Sequence, residues 1–148
     1  MMQKSLAEVF EKDLIRLKKE IELYNDEANL WLVSEGISNS AGNLCSHIIG
    51  NLNNYIGAIL GNTGYIRNRP TEFTDKVSKE DLINALEETT KMVKTVITNL
   101  DSKVFEQIYP DNVFGFEMKT DYFLIHLVGH LNYHLGQINY HRRILCYN

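Results

Sequence analysis

The sequence is poor in cysteine and proline, with two of each in 148 residues. Two cysteines cannot build a disulfide framework, so Cys45 and Cys146 are read as packing residues suited to a reducing compartment. No stretch lacks apolar residues, and only nine glycines occur, which excludes a disordered or low-complexity chain. Basic residues are also scarce: 15 Lys and Arg face 19 Asp and Glu, for a formal charge of −4. Without a basic cluster to neutralise a run of phosphates, a nucleic-acid partner is excluded. Met1 to Leu6 runs straight into mixed charged sequence with no apolar h-region, so no signal peptide is expected and the cytoplasm is the default location. The longest apolar runs fall far short of the ~20 residues that cross a bilayer, so no membrane role is expected.

What the chain does have is helical periodicity over four segments of one domain, residues 1–148. The first is expected from about Lys4 to Trp31, with Leu6, Phe10, Leu14, Leu17, Ile21 and Tyr24 on one stripe. The second follows the cap-rich Ser38-Asn39-Ser40 and reaches about Leu60, with Leu44, Ile48, Leu52, Tyr55, Ile56 and Ile59 on its apolar side and His47 and Asn51 near it. The third opens at Ser78-Lys79-Glu80-Asp81 and carries Leu82, Leu86, Val93, Val96 and Leu100. The fourth runs from about Thr120 to Leu145 through Leu124, Leu127, Leu131 and Ile138. Residues 101–119 have no helical period and are expected to form a loop with a short extended piece. Four amphipathic helices predict an all-α four-helix bundle. The connection from about Gly61 to Val77, at ~3.3 Å per extended residue, can span a ~30 Å helix, so the second and third helices can run the same way with a crossover between them.

The histidines stand out, at positions 47, 126, 130, 134 and 141, the last four on one helix at steps of four, four and seven. Residues i and i+4 of a helix lie ~5–6 Å apart at Cβ, so two imidazoles can converge on one ion at ~2.0–2.1 Å. His126 and His134 are separated by ~12 Å of helix and cannot share an ion directly, which leaves His126/His130 or His130/His134 as the pair. His47, the only histidine elsewhere, is the natural third ligand. In an antiparallel pairing of the second and fourth helices, its depth matches His130 and His134 best. For His126 and His141 the expected role is that of a hydrogen-bonded core or interface residue. The HxxxH spacing lacks the glutamate of a zinc-protease motif, since position 131 is Leu131.

The segment Gly129-His130-Leu131-Asn132-Tyr133-His134-Leu135-Gly136-Gln137-Ile138, taken with His47, resembles the DinB-like superfamily, including its YfiT-like metal-dependent members. The stretch from Gly50-Asn51-Leu52 through Ile56-Gly57-Ala58-Ile59-Leu60-Gly61 to Phe73 is similar to a further branch of it. The resemblance implies an up-down-down-up bundle with a long crossover and a divalent-metal site, zinc or nickel, made by His47, His130 and His134. It also implies a homodimer, and in some members transfer of a low-molecular-weight thiol. Leu135 stands where many members carry a basic residue, which removes an anion contact at that point.

Three neutral imidazoles leave an ion an open position, as in catalytic centres, and such an ion generates a nucleophile from water or a thiol. The expected function is a divalent-metal-dependent enzyme acting on a small molecule, thiol transferase-like or hydrolase-like. Asn51 and Gln137, four residues after His47 and three after His134, are expected to face the same interior and either orient a ligand, bound water or an imidazole or, equally, bond one another across the bundle. Arg67 is a candidate anion clamp with Arg69, against the plainer reading that these arginines face solvent or pair with Glu72. No acid is placed by the sequence to act as general base; Glu117 and Asp121 fall at the far end of the last helix. The competing class is a non-catalytic dimeric bundle with an incidental or absent metal. It draws on eight tyrosines and six phenylalanines, more than one core of this size must bury.

Overall fold

The computed structural model describes residues 2–146; Met1, Tyr147 and Asn148 lie outside it. Its helices are α1 (Met2–Glu22), α2 (Ala41–Leu52), α3 (Ile59–Gly61), α4 (Arg69–Thr74), α5 (Lys79–Asn99) and α6 (Thr120–Leu145). A π-helical turn, Asn53–Ala58, fuses α2 to α3, so α1, α2–α3, α5 and α6 are the four long rods of an all-α fold. Among the described residues the only β pairing is the isolated bridge Ile108–Lys119.

Every residue of the stripe expected on the first helix, Leu6, Phe10, Leu14, Leu17, Ile21 and Tyr24, is buried, Tyr24 just past the end of α1. Leu44, Ile48, Leu52 and Ile56 join it from α2 and the π turn, Leu82, Leu86, Val93 and Ile97 from α5, and Leu124, Leu127, Leu131 and Ile138 from α6, in one core. On α5 the buried position is Ile97, while Val96 and Leu100 pack only partly. Ser40 and Ser78 cap α2 and α5, their hydroxyls accepting from the Asn43 and Asp81 N–H groups at 3.1 and 3.0 Å.

Side-chain pairs fix the directions of the rods. Lys18 meets Glu87 and Lys94 meets Glu11, so α1 and α5 are antiparallel. Asp13 meets Asn132 and Glu20 meets Asn139, so α1 and α6 run together. Asn53 bonds Thr89 while Gly61 closes on Val96, giving α2–α3 and α5 a common direction. His47 faces His130 and Tyr55 faces Phe123, so α2 and α6 are antiparallel.

Three boundaries differ from expectation. The first helix stops at Glu22 rather than Trp31, because Asp26 accepts from the Ala28 N–H at 3.0 Å and starts a separate 3-10 turn, Glu27–Trp31. The crossover is not simply a loop: Asn62 in the left-handed region (φ 49°) ends α3, and Pro70 opens the short α4. Residues 101–119 contain a 3-10 turn, Ser102–Glu106, together with the expected extended piece, in which the Tyr109 N–H donates to the Met118 carbonyl at 2.9 Å. Among the described residues no helix is long and apolar enough to cross a membrane.

Candidate metal centre

The site forms where α2 crosses α6. Helical spacing puts His130 and His134 on one face of α6, one turn apart, and the antiparallel packing brings His47 opposite them. Nε2 of His130 lies 3.2 Å from Nε2 of His47 and 3.1 Å from Nε2 of His134. Two ligands about 2.05 Å from one ion at a tetrahedral angle sit about 3.3 Å apart, so these nitrogens already have the spacing of a shared coordination sphere.

The far nitrogens are fixed. Nδ1 of His47 donates to Oε1 of Glu72 at 3.1 Å, and Nδ1 of His134 donates to Oε1 of Gln137 at 2.7 Å. Both rings therefore turn a lone pair toward His130. His130 Nε2 carries at most one hydrogen, so only one of its two short contacts can be a hydrogen bond. A cation satisfies all three lone pairs. The cluster His47, His130 and His134 could hold a metal ion, and three imidazoles suit a borderline transition metal rather than calcium or magnesium.

Burial keeps the rings neutral and ready to ligate. Desolvation pushes His130 down to about 3, reinforced by the neighbouring imidazoles. It also lowers His47, against the opposing pull of Glu72, and His134, against Gln137.

Glu72, expected only as a partner of the crossover arginines, also reaches His47, a contact the sequence did not reveal. It comes from α4, is 6% exposed, and binds His47 with one carboxylate oxygen while Arg67 clamps both oxygens at 2.9 Å. Gly50 makes this possible, since a Cβ there would collide with the Glu72 carboxylate. Of the readings open for Arg67, the pairing with Glu72 is the one observed. The only sequence signals were a glycine three residues after His47 and an Arg–Glu pair five apart in the crossover.

Other expectations need correction. Gln137 does not face the interior; it is exposed and reaches the site only by bonding His134. His126 is not a core residue but an exposed ring, edge-on to Phe114 at 4.7 Å, because its step on α6 carries it past the contact with α2. His141 is buried as expected, with Nδ1 2.7 Å from the Tyr24 hydroxyl and Nε2 2.9 Å from the Leu32 carbonyl. Asn51 is buried but does not bond Gln137; its Oδ1 has no hydrogen-bond partner among the described residues.

Two predictions follow from this geometry. Gly50→Ala displaces Glu72 and Glu72→Gln removes its charge, and each is expected to weaken zinc binding about 10- to 100-fold with helix content unchanged, measured by competition with a chromophoric chelator. Undiminished affinity in both variants would remove Glu72 from the centre. In metal-free protein the unfolded chain takes up protons on these histidines below about pH 6.5, while in the folded chain His130 resists until near pH 3 and His47 and His134 are shifted the same way. Stability should therefore fall as pH drops from about 6.5 toward 3, with a shallower fall for His130→Asn in denaturant titrations at each pH; parallel profiles would contradict it.

No curated protein matches the chain. Residues 16–138 match the profile of the DinB superfamily, a span that includes all three histidines of the cluster as well as Gly50, Arg67 and Glu72. An all-α bundle with its histidine cluster inside that match identifies the chain as a member of the DinB superfamily.

Proposed function

We propose that this chain is a divalent-metal-dependent enzyme whose zinc or nickel ion is held by His47, His130 and His134. The observation that carries the reading is the convergence of three Nε2 atoms whose rings are neutral, two of them oriented from behind by Glu72 and Gln137. The registers of the helix pairs support the up-down-down-up course with its crossover, which is what delivers Glu72. When bound, such an ion acts as a Lewis acid that lowers the pKa of a water or thiol at its open position.

The chain's own residues divide the remaining work. Cavities of about 160 Å³ and 570 Å³ flank the cluster, the first bordered by His47 and His130 and the second by His134. No Asp or Glu among the described residues lines either one, and Glu72 is held by His47 and Arg67. Lacking a free carboxylate base, the site favours transfer of a low-molecular-weight thiol over hydrolysis. In that reaction the thiol proton leaves, sulfur bonds an electrophilic carbon, and the leaving group departs with its electron pair. Asn51 orients the substrate, Gln137 positions His134, and Arg67 positions Glu72.

Protein purified without a nickel column should carry about one divalent ion per chain by elemental analysis, lost in His47→Ala and His130→Ala with the circular dichroism unchanged. It should also consume thiols in the presence of electrophiles. Wild-type protein that takes up no metal would leave the competing reading, a non-catalytic bundle.

We also propose a homodimer through the outward face of α6. Tyr122, Ile125, Tyr133, Tyr140 and Ile144 recur there at helical spacing, with Tyr133 and Tyr140 66% and 67% exposed. Gly129 and Gly136 lie on the same face, with open space where a side chain would stand, and admit a second backbone closely. Light scattering should give twice the chain mass at high micromolar concentration, and Tyr133→Lys with Tyr140→Lys should give a monomer; a monomeric wild type would overturn it.

A further inference from the structure

The larger cavity, about 570 Å³ beside His134, lies between the segment 34–39 and the C-terminal half of α6. Its wall on the segment side is held in place. Gly36 at φ 88° and the Ile37 N–H, donating to the Ser34 carbonyl at 3.3 Å, form a tight turn that sets Ile37 on the cavity. Before the turn the Leu32 carbonyl is bound by His141 Nε2 at 2.9 Å, and after it the Ser40 hydroxyl caps α2. Since Nδ1 of His141 is taken by the Tyr24 hydroxyl, that buried ring offers the cavity carbon and no free polar atom. Leu44 lies buried at the bottom, and Ile37, Tyr133, Tyr140 and Ile144 make an exposed rim.

Charge is what this cavity lacks. The chain has 15 Lys and Arg and 19 Asp and Glu, yet none among the described residues lines it. Glu35 stands between two lining residues, Ser34 and Gly36, and Arg143 beside a third, Ile144, and both are left off the wall. The polar atoms come from neutral side chains such as Asn39 and Gln137. The smaller cavity, by contrast, is bordered by Arg67 and Arg69. An ion entering the larger one gives up water and meets no counter-charge, whereas a neutral apolar molecule gains from every part of its surface that is covered.

We infer that the larger cavity is the subsite for the electrophile of the proposed transfer, an uncharged and mainly apolar molecule whose reacting carbon lies at the His134 end. Set against roughly 30 Å³ for each water, about 570 Å³ gives room for a molecule of roughly a dozen heavy atoms or more. Sulfur displaces the leaving group from that carbon: one S–C bond forms as one bond to the leaving group breaks, the electron pair departs with the leaving group, and the thiol proton passes to solvent. The inference rests on the metal-centre reading for this step, while the charge selectivity of the cavity does not. Tyr133 and Tyr140 also belong to the face proposed for the homodimer, which makes a second copy the rival occupant.

Three two-ring probes of similar shape separate the charges: 1-naphthalenemethanol, 1-naphthoate and 1-naphthylmethylammonium. Titrated by calorimetry near neutral pH into zinc-loaded and metal-free protein, the neutral alcohol should bind about tenfold more tightly than either ion. Ile37→Lys puts a cation at an exposed position outside the helices and should reverse the order in favour of naphthoate. In protein carrying isotope-labelled histidine, the alcohol should shift the His134 and His141 resonances and leave in place that of His126, which borders the smaller cavity. Equal binding of the three probes, an order unchanged in Ile37→Lys, or a shift confined to His126 would overturn the inference. An affinity that falls as rising protein concentration drives dimerisation would give the cavity to the second copy and overturn it too. Zinc content of the same samples separates the two readings. Selective binding of the alcohol without zinc uptake upholds the cavity's selectivity and defeats the metal centre, while zinc uptake without that selectivity defeats the subsite alone.

Discussion

The structure depends on holding neutral imidazole lone pairs against one another. Nitrogen atoms 3.1 and 3.2 Å apart, with two of the three rings already committed to partners behind them, leave more acceptors than hydrogens at the centre. Protonating a ring would relieve this in water, but burial pushes His130 down to about 3. A cation at that point would relieve it, so the three rings could serve as a coordination sphere.

Such a sphere needs its rings held from behind, and the bundle does this unevenly. On α6, Gln137 steadies His134 from three residues away, a local contact within one helix. On α2, His47 is steadied by Glu72 across 25 residues of chain, and Arg67 neutralises that buried carboxylate. A lone buried Glu beside a histidine would raise the histidine's proton affinity; tied to Arg67 it serves as an oriented acceptor, and desolvation still wins at His47. The crossover is therefore part of the centre rather than a tether. The π turn Asn53–Ala58 contributes from the other side: it carries Tyr55 toward Phe123 and Arg67, and leaves Gly57 and Gly61 close against Met92 and Val96 of α5.

The rods were legible in the sequence because burial of one stripe imposes a period that survives in the residue order, as Leu6 to Tyr24 demonstrate. The histidine cluster was legible for the same reason, since a step of four on α6 is itself a geometric statement. His126 shows the limit: it has the same step from His130, yet it ends exposed beside Phe114, because which pair meets α2 depends on depth and packing. Gln137 was expected at the site for its spacing, and it does act there, but from the solvent side. The pairing of Glu72 with Arg67 was legible, but its place against His47 was not, because nothing in its neighbourhood has a period. It sits in a six-residue helix whose placement is decided by the tertiary contact with Gly50 that it also completes. The end of α1 was missed for a local reason, the competition of the Asp26 side chain for a backbone N–H.

The same asymmetry decides what chemistry the site can support. Among the described residues no carboxylate lines either cavity, and Glu72, which touches the His47 ring, has both oxygens engaged. With no carboxylate there to act as base, the proposed reaction suits a nucleophile that is acidic enough to ionise on a Lewis acid alone. A thiol meets that condition more readily than water, since its intrinsic pKa of about 8.5 lies far closer to neutrality than the 15.7 of bulk water.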